Sequence, residues 1–471
     1  MHLDLSLASR CNRRMDSKSF YVSRRRFLKT TLATAAATGL PAWFVERERA
    51  MAAPTPKRPG PNDRPGIALV GCGGQGSGDA GNARRFGDIV AVCDVDANQA
   101  EQAAKQFTRA GAKPAIYRDF RKLMERDDLH IIVNGTPDHW HTLVNLRAVK
   151  TGKDVYSEKP LTLTIDEGKH LVKAVRQFKT VFQVGSQQRS DKNFRLACEL
   201  VRNGRLGKLQ EIIVGLPTGP REGPFEPIPV PPNLDWDFYV GQAPKRDYVG
   251  IRKVTKSGDQ ETVSYECKCA RGVFRWWYCF SGGQMTDWGA HHNDIAQWAL
   301  GTELSGPVEA QGKSLVEMIP GGYETASEYE VHYKYANGVA MTVTDEKRAP
   351  NGVKFIGPDG WIFVTRGKIE ASKPELLQDP LPDGATRLYR SDDHMGNFFE
   401  CVRSRKAPIA EMEIGHRSIT VAHIGVISMR LGGLRLGWNP QKEQFTGEHA
   451  KEANKWLARE QRKPYDYSFI A

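Results

Sequence analysis

The chain has 471 residues, enough for two or three domains with a sizeable core, and its 40% hydrophobic and 9% aromatic content is ordinary for a soluble globular protein. A formal charge of +12 points at first towards nucleic acid. The first 52 residues hold 10 of the 67 basic and 4 of the 55 acidic residues, which leaves 57 against 51, a net +6, and no run dense enough for a nucleic-acid partner.

Those 52 residues are basic for a reason of their own. Ser23-Arg24-Arg25-Arg26-Phe27-Leu28-Lys29 precedes a mildly apolar, alanine-rich stretch from Thr30 to Phe44, and Ala50-Met51-Ala52 is a small-residue cleavage pattern. Together they read as a twin-arginine export signal over 1–52, which places the protein in the periplasm or otherwise outside the cytoplasm. The apolar stretch is short for a membrane span, so no stable span is expected once it is removed. Cys11 leaves with the signal. The remaining seven cysteines are an odd number without a metal-like array; Cys267-x-Cys269 with Cys279 is too sparse for zinc.

Residues 53–63 form a linker within the proline-rich run Pro54 to Pro65. A first domain is expected over 64–186. Gly66 to Val70 reads as a buried strand, Asp79 to Phe86 as a helix and Ile89 to Asp94 as a second strand. Helix 97–110, strand His130 to Asn134, helix 139–151, strand Asp154 to Ser157, helix 165–178 and strand Val181 to Gly185 continue the alternation, which implies a doubly wound parallel sheet of the Rossmann type.

Between the first strand and helix lies Gly71-Cys72-Gly73-Gly74-Gln75-Gly76, and Asp94 ends the next strand. A lone glycine spacing of this kind is weak; in this context it is a dinucleotide fingerprint. Gly71 makes the tight turn, Gly73 and Gly74 with Gln75 let backbone approach a pyrophosphate, and Gly76 permits close helix–strand packing. Asp94 would take the ribose hydroxyls and repel a 2′-phosphate, so NAD is expected rather than NADP. Asn134-Gly135-Thr136-Pro137 ends a strand at the sheet's ligand edge, Asp138-His139-Trp140-His141 opens the next helix, and Ser157-Glu158-Lys159-Pro160 ends the following strand. A lysine at such an edge is ordinarily solvated, yet in a cofactor crevice it could donate to a substrate oxygen.

The pattern changes near residue 186. A helix at 192–203 and a strand at 209–214 are followed by Pro217 to Pro232, whose seven prolines demand an extended loop. Segments 309–318, 326–335, 338–345, 353–356, 360–365 and 368–372 alternate as antiparallel strands, with turns at Asn337-Gly338 and Asp359-Gly360, and helices return at 394–404 and 415–433. A second domain of mainly antiparallel strands is expected over 187–393, followed by helices within 394–436 and a C-terminal tail at 437–471.

Residues 285–298, MTDWGAHHNDIAQW, read as a helix. Asp287, His291, Asp294 and Trp298 then share one face, while Trp288, His292, Ile295 and Ala299 form a neighbouring stripe. On that reading His292 is a packed histidine, and His291 has carboxylates a turn away on either side. A metal site, an acid–base pair and a plain polar face all remain open on spacing alone.

The glycine fingerprint, Thr136-Pro137 with His141, Gly152 before Glu158-Lys159-Pro160, and Asp287-x-x-x-His291 after a glycine pair occur together in an order that resembles the glucose–fructose oxidoreductase, inositol dehydrogenase and rhizopine-catabolism (Gfo/Idh/MocA) family, in its exported twin-arginine subgroup. The resemblance covers roughly 64–440 and implies an N-terminal Rossmann domain followed by a C-terminal α/β domain with a large open, mainly antiparallel sheet, with 394–436 packing back onto the first domain. It implies that Lys159, Asp287 and His291 surround the nicotinamide, with His291 as acid–base group, and that no metal is needed. It also implies that Thr136, Pro137, Trp140, His141 and Glu158 contact the cofactor and that the open sheet mediates a homodimer or homotetramer. Gln187, Arg189, Arg275, Trp276 and Asp294 are expected towards a carbohydrate, whose hydroxyl edges and C–H faces suit amides, guanidinium groups and indoles. Two activities follow: an NAD-dependent sugar or polyol oxidoreductase, or an NAD-dependent glycoside-cleaving enzyme working by transient oxidation, elimination and re-reduction.

Overall fold

A computed structural model describes residues 64–470 apart from 258, 259 and 379; the export signal and the linker lie outside the described residues. Strands β1 (Gly66–Val70), β2 (Asp88–Cys93), β3 (Ala115–Tyr117), β4 (Ile131–Asn134), β5 (Asp154–Ser157) and β6 (Phe182–Val184) build a parallel sheet in the order β3-β2-β1-β4-β5-β6. β1 and β4 are buried at every residue, as central strands covered on both faces must be. Helices Gly74–Ala83, Ala97–Gln106, Asp138–Lys150 and Ile165–Phe178 alternate with them. The third begins at Pro137; the last is started by a capping box between Thr164 and Glu167. Strand order reverses between β1 and β4, which opens the crevice at their carboxyl ends where such sheets bind ligands. The doubly wound expectation holds. β3 has no counterpart in the sequence reading, because three residues, the central Ile116 exposed, carry no periodic signal.

Helix Lys192–Arg202 leads to β7 (Glu211–Leu216). The proline-rich stretch is extended, apart from the two-residue β8 (Glu226–Pro227), which pairs with a ribbon of β9 (Val249–Ser257) and β10 (Gln260–Cys267). That ribbon was not expected from the sequence. Then come β11 (Glu309–Ser314), β12 (Tyr329–Lys334), β13 (Ala340–Asp345), β14 (Gly352–Gly357), β15 (Gly360–Thr365), β16 (Lys368–Ala371), β17 (Leu436–Asn439) and β18 (Gln444–Thr446). With β7 they form a nine-stranded sheet, β16-β15-β14-β7-β13-β12-β11-β17-β18, antiparallel except at β7–β13.

Alternation along β12 sets the layers: Tyr329, Val331 and Tyr333 are buried, and Glu330, His332 and Lys334 face the other way. Helices Gly289–Leu300 and Met412–Arg430 cover the apolar face, where the Tyr333 hydroxyl donates to the Val421 carbonyl at 2.8 Å. Helix His394–Ser404 returns to the first sheet, with Met395, Phe398 and Phe399 in one cluster with Ile67, Leu69 and Val133. The C-terminal stretch is no tail: β17 and β18 extend the large sheet, and Trp456, Tyr465 and Phe469 pack on the core. Residues 285–298 are not one helix either. Gln284–Asp287 and Gly289–Leu300 meet at Trp288. Among the described residues no helix is long and apolar enough to cross a membrane.

Candidate active site

Residues at the switch point surround a cavity of about 400 Å³ that is lined by Gly71, Gly73, Gly74, Gln75, Asp94, Thr136, Pro137 and Trp140, among others. Its glycines do what a cradle requires. Gly71 has φ +85°, and a Cβ there would lie 2.5 Å from the Thr136 amide nitrogen. A Cβ on Gly76 would lie 2.2 Å from the Gly71 carbonyl oxygen, whereas at Gly73 and Gly74 nothing is within 4 Å. The helix behind them has no side-chain cap and no acidic residue in its first turn, so its first amides are left for an anion. These residues fit a dinucleotide pyrophosphate. Asp94 accepts from the amides of Cys72 (2.7 Å) and Asp96 (2.8 Å), and burial, against those amides, pushes its carboxyl up to about 6. Arg118 and Arg271 also reach this cavity from distant segments, each paired with a carboxylate: Asp235 at 2.5 Å and Asp96 at 3.0 Å.

Trp140 lines the cavity and donates from Nε1 to the Tyr239 carbonyl at 2.9 Å. His141 does not line it. Its two ring nitrogens lie 2.7 Å from the carbonyls of Pro160 and Thr136, so it braces the loops that end β4 and β5 rather than touching a cofactor.

A second, polar cavity of about 710 Å³ adjoins the first, and Gln75, Glu158 and Lys159 line both. Its walls also hold Gln187, Trp288, His291 and Arg366. Lys159 Nζ reaches Asp287 Oδ1 at 2.6 Å, and Arg275 Nε reaches the same oxygen at 3.2 Å. Burial resists the charge on Asp287, but the two cations hold its carboxyl below the usual range. Gln187 Nε2 donates to Glu158 Oε1 at 2.9 Å.

Asp287 is thus engaged by Lys159 and Arg275. It forms no hydrogen bond with His291, and the expected tuning of that imidazole by Asp287 does not occur. His291 is 4% exposed and its Nδ1 is buried without a partner; burial first, then the charge of Lys159, hold it far below the usual histidine range and so neutral. His292 is the packed histidine, fully buried, with Nε2 2.8 Å from Asn351 Oδ1 and Nδ1 3.2 Å from Gln188 Oε1.

Three expected substrate contacts are spent elsewhere. Arg189 is sealed, with Nε and Nη2 on the two oxygens of Asp294 at 2.6 and 2.8 Å and Nη1 on Glu303 at 2.8 Å. Asp294 also accepts from the Ser418 hydroxyl. Trp276 packs by Tyr323, with ring centroids 6.3 Å apart, and lines neither cavity.

Two cavity residues, Arg366 and Asp79, escaped the sequence reading as site residues, and a third, Asp138, was read only as opening its helix. Arg366 sits at the β15–β16 turn, its guanidinium 4.5 Å over the Trp288 ring. Asp79 shares Gln75 Nε2 with Glu158, and burial together with the Glu158 charge raises its carboxyl strongly. Asp138, fully buried, is pushed up to about 7 by burial. Arg366 follows no local signal. Asp79 lies one helical turn after Gln75, and that spacing could have found it. Among the described residues no group of three or more His, Cys, Asp or Glu is placed to hold a metal ion.

Comparison with known proteins agrees with this geometry. Residues 66–186 match the NAD-binding Rossmann fold model of an oxidoreductase family, residues 221–467 match that family's C-terminal alpha/beta domain, and residues 22–41 match a twin-arginine translocation signal. The chain is 24% identical over 332 residues to scyllo-inositol 2-dehydrogenase (NAD(+)) of Bacillus subtilis, across 68% of this chain and 80% of that one. It is 35% identical over 160 residues to glycosyl hydrolase family 109 protein 2 of a Shewanella species, across 31% of this chain and 35% of that one. Its fold is similar to that of the WlbA dehydrogenase of Bordetella pertussis in complex with NADH and UDP-GlcNAcA, with TM-score 0.57 and 16% identity over 80% of this chain and 99% of that one.

Proposed function

Because the chain belongs to the Gfo/Idh/MocA oxidoreductase family and is a NAD-dependent enzyme, we propose that it moves a hydride between a sugar or polyol hydroxyl carbon and its nicotinamide. The observation that carries this reading is the seam between the cavities, where Lys159 belongs to both. NAD, when bound, supplies the hydride acceptor. His291, neutral and lining the second cavity, takes the proton of the substrate hydroxyl. Lys159 donates to that oxygen and stabilises its developing negative charge, and Asp287, itself anchored by Arg275, holds the ammonium in place. Gln187 and Arg366 are the side chains nearest to hand for the remaining hydroxyls.

Export bears on how the cofactor is used. The twin-arginine signal carries folded chains, and the compartment proposed is the periplasm, where free NAD is scarce. A cofactor loaded before export needs slow release, with affinity between about 1 μM and 1 nM, or about 8–12 kcal/mol. On β12 of the nine-stranded sheet His332 and Lys334 are exposed, which supports a second copy meeting this side in a homodimer or homotetramer.

The test starts from mature protein purified without added nucleotide. Denaturation should release near-stoichiometric NAD(H), and sugars or polyols added to the native protein should change the near-ultraviolet absorbance of the nicotinamide. Empty protein with no response to any sugar would overturn the reading. A second reading, glycoside cleavage through a transient oxidation, is favoured by the glycosyl hydrolase family 109 relatives. It predicts release of aglycone from a glycoside with no net change in that absorbance.

A further inference from the structure

One pair of side chains outside the chemistry above has the arrangement of a redox site. Cys267 is the last residue of β10, and the chain turns at once so that Cys269 lies buried beneath it. The turn aims two backbone amides at Cys267 Sγ: Cys269 N at 3.5 Å and Ala270 N at 3.3 Å. Cys269 and Tyr248 lie near enough to act on the Cys267 charge. Cys269 Sγ in turn accepts from the Val249 amide at 3.1 Å.

Two amides aimed at one half-buried sulfur stabilise it as a thiolate. The Cys269 thiol first, then Tyr248 and the two amides, outweigh burial and pull Cys267 well below the ordinary thiol range, while Cys269, which donates to it and is buried, is raised. The other described cysteines differ. Cys72, Cys198 and Cys279 are raised by burial before any other cause, Cys93 and Cys401 likewise. Lys268, between the pair, is occupied by Glu222 and Glu266, each at 2.7 Å, so the stabilisation comes from neutral donors rather than from a neighbouring cation.

We propose that Cys267 and Cys269 form a dithiol–disulfide site that reacts with small-molecule disulfides. The Cys267 thiolate attacks one sulfur of a disulfide R–S–S–R. A bond forms between Cys267 Sγ and that sulfur, the R–S–S–R bond breaks, and the departing thiolate takes up a proton. Cys269 then gives up its proton and attacks Cys267 Sγ, expelling the second thiol and closing the Cys267–Cys269 bond. Two protein thiols are oxidised and one external disulfide is reduced to two thiols, so atoms and electrons balance.

The location gives the site a context and a consequence. The twin-arginine signal takes a chain folded among reduced thiols to an exterior where disulfides persist. Immediately after the pair, Ala270, Arg271, Gly272, Phe274 and Arg275 form one wall of the nucleotide cavity, as does Tyr248. The state of the two sulfurs is therefore registered next to the cofactor.

The experiment exposes the purified mature protein, with whatever nucleotide it retains, to oxidised glutathione and reads intact mass and non-reducing peptide maps. Wild type should lose two hydrogens per chain, and the peptides on either side of Lys268 should stay joined until reduced. Cys269→Ser should stop at one glutathione bound to Cys267, and Cys267→Ser should gain neither adduct nor disulfide; Cys279→Ser should behave as wild type. Retention of all thiols in wild type, a disulfide mapped to any other pair, or a Cys269→Ser protein that gains no glutathione on Cys267 each overturns the proposal. If Cys267→Ser fails to fold, the wild-type map and the Cys269→Ser adduct still decide it.

Discussion

Two buried clusters of opposite charge flank the break at Trp288, and their fates differ. In one, Arg189 meets both oxygens of Asp294, Glu303 takes its third donor and Ser418 adds to Asp294; the side chains of Arg189 and Asp294 are 1% and 2% exposed. In the other, Lys159 and Arg275 converge on a single oxygen of Asp287, the Lys159 and Asp287 side chains are 13% and 11% exposed, and Lys159 stands where two cavities meet. The first cluster has spent its hydrogen-bonding capacity inside the protein. The second has donors to spare: Lys159 opens onto both cavities, and His291 lines one of them. Burial and ion pairing alone do not distinguish a site from a strut; unsatisfied capacity facing a cavity does.

Breaking the cavity-facing cluster should have the largest effect. Lys159→Ala or His291→Ala is expected to lower kcat by about 10²–10⁴-fold, because each removes a group that acts on the reacting oxygen. NAD content after gel filtration and the melting temperature should change little. A variant that keeps more than a tenth of wild-type turnover would mean that the proton travels by another route.

The sealed cluster should respond in the opposite way. Arg189→Met leaves Asp294 as an uncompensated buried charge, which costs about 3–5 kcal/mol. Urea denaturation should show this loss, and Arg189→Met with Asp294→Leu should recover most of it. If Arg189→Met instead folded with normal stability and a raised KM, Arg189 would belong to the substrate after all.

The contrast also marks how far the sequence could be read. The glycine cradle was legible because each glycine answers a local backbone demand, and Lys159 because Pro160 ends its strand at the crevice. The doubly wound sheet followed from long apolar runs in strict alternation. Partners were not legible. Helical spacing assigned Asp287 to His291, but Lys159, 128 residues away, takes that carboxylate. Spacing also cannot show that Trp288 interrupts the helix, or that Arg366 arrives from a hairpin turn. Arg189 looked like a substrate contact because it follows the crevice strand; only the fold reveals that Asp294 lies across from it.

Asp94 extends the comparison as a half-buried carboxylate whose hydrogen bonds come from backbone amides and not from a cation. NAD should bind at least about tenfold more tightly than NADP, since a 2′-phosphate opposite this charge costs about 1–3 kcal/mol. Asp94→Ala should narrow that gap. Calorimetry of the apo-protein giving equal affinities for the two would count against Asp94 as the discriminator, and would turn attention to Arg118 and Arg271 in the same cavity. His292→Ala, by comparison, should cost about 1–3 kcal/mol of stability through its lost hydrogen bonds and leave turnover within a few-fold.

The smallest effect expected is a pH dependence of cofactor affinity. Without ligand, burial holds the Asp94 carboxyl up to about 6, so near neutral pH it is ionised but close to its titration. Ribose hydroxyls donate to the charged form and therefore lower this pKa on binding. The sign follows: affinity is full above about pH 7 and falls by up to tenfold per unit below about 6, about 1.4 kcal/mol, with one proton released on binding in that window. Asp138, held up to about 7 in the same cavity, titrates nearby, so the Asp94→Asn variant is needed to separate the two. Calorimetry in buffers of different ionisation enthalpy should show proton release for wild type near pH 6 and its loss in Asp94→Asn. Proton uptake on binding, or an unchanged profile in the variant, would show that the ribose leaves Asp94 untouched and that the cavity reads the cofactor through its arginines.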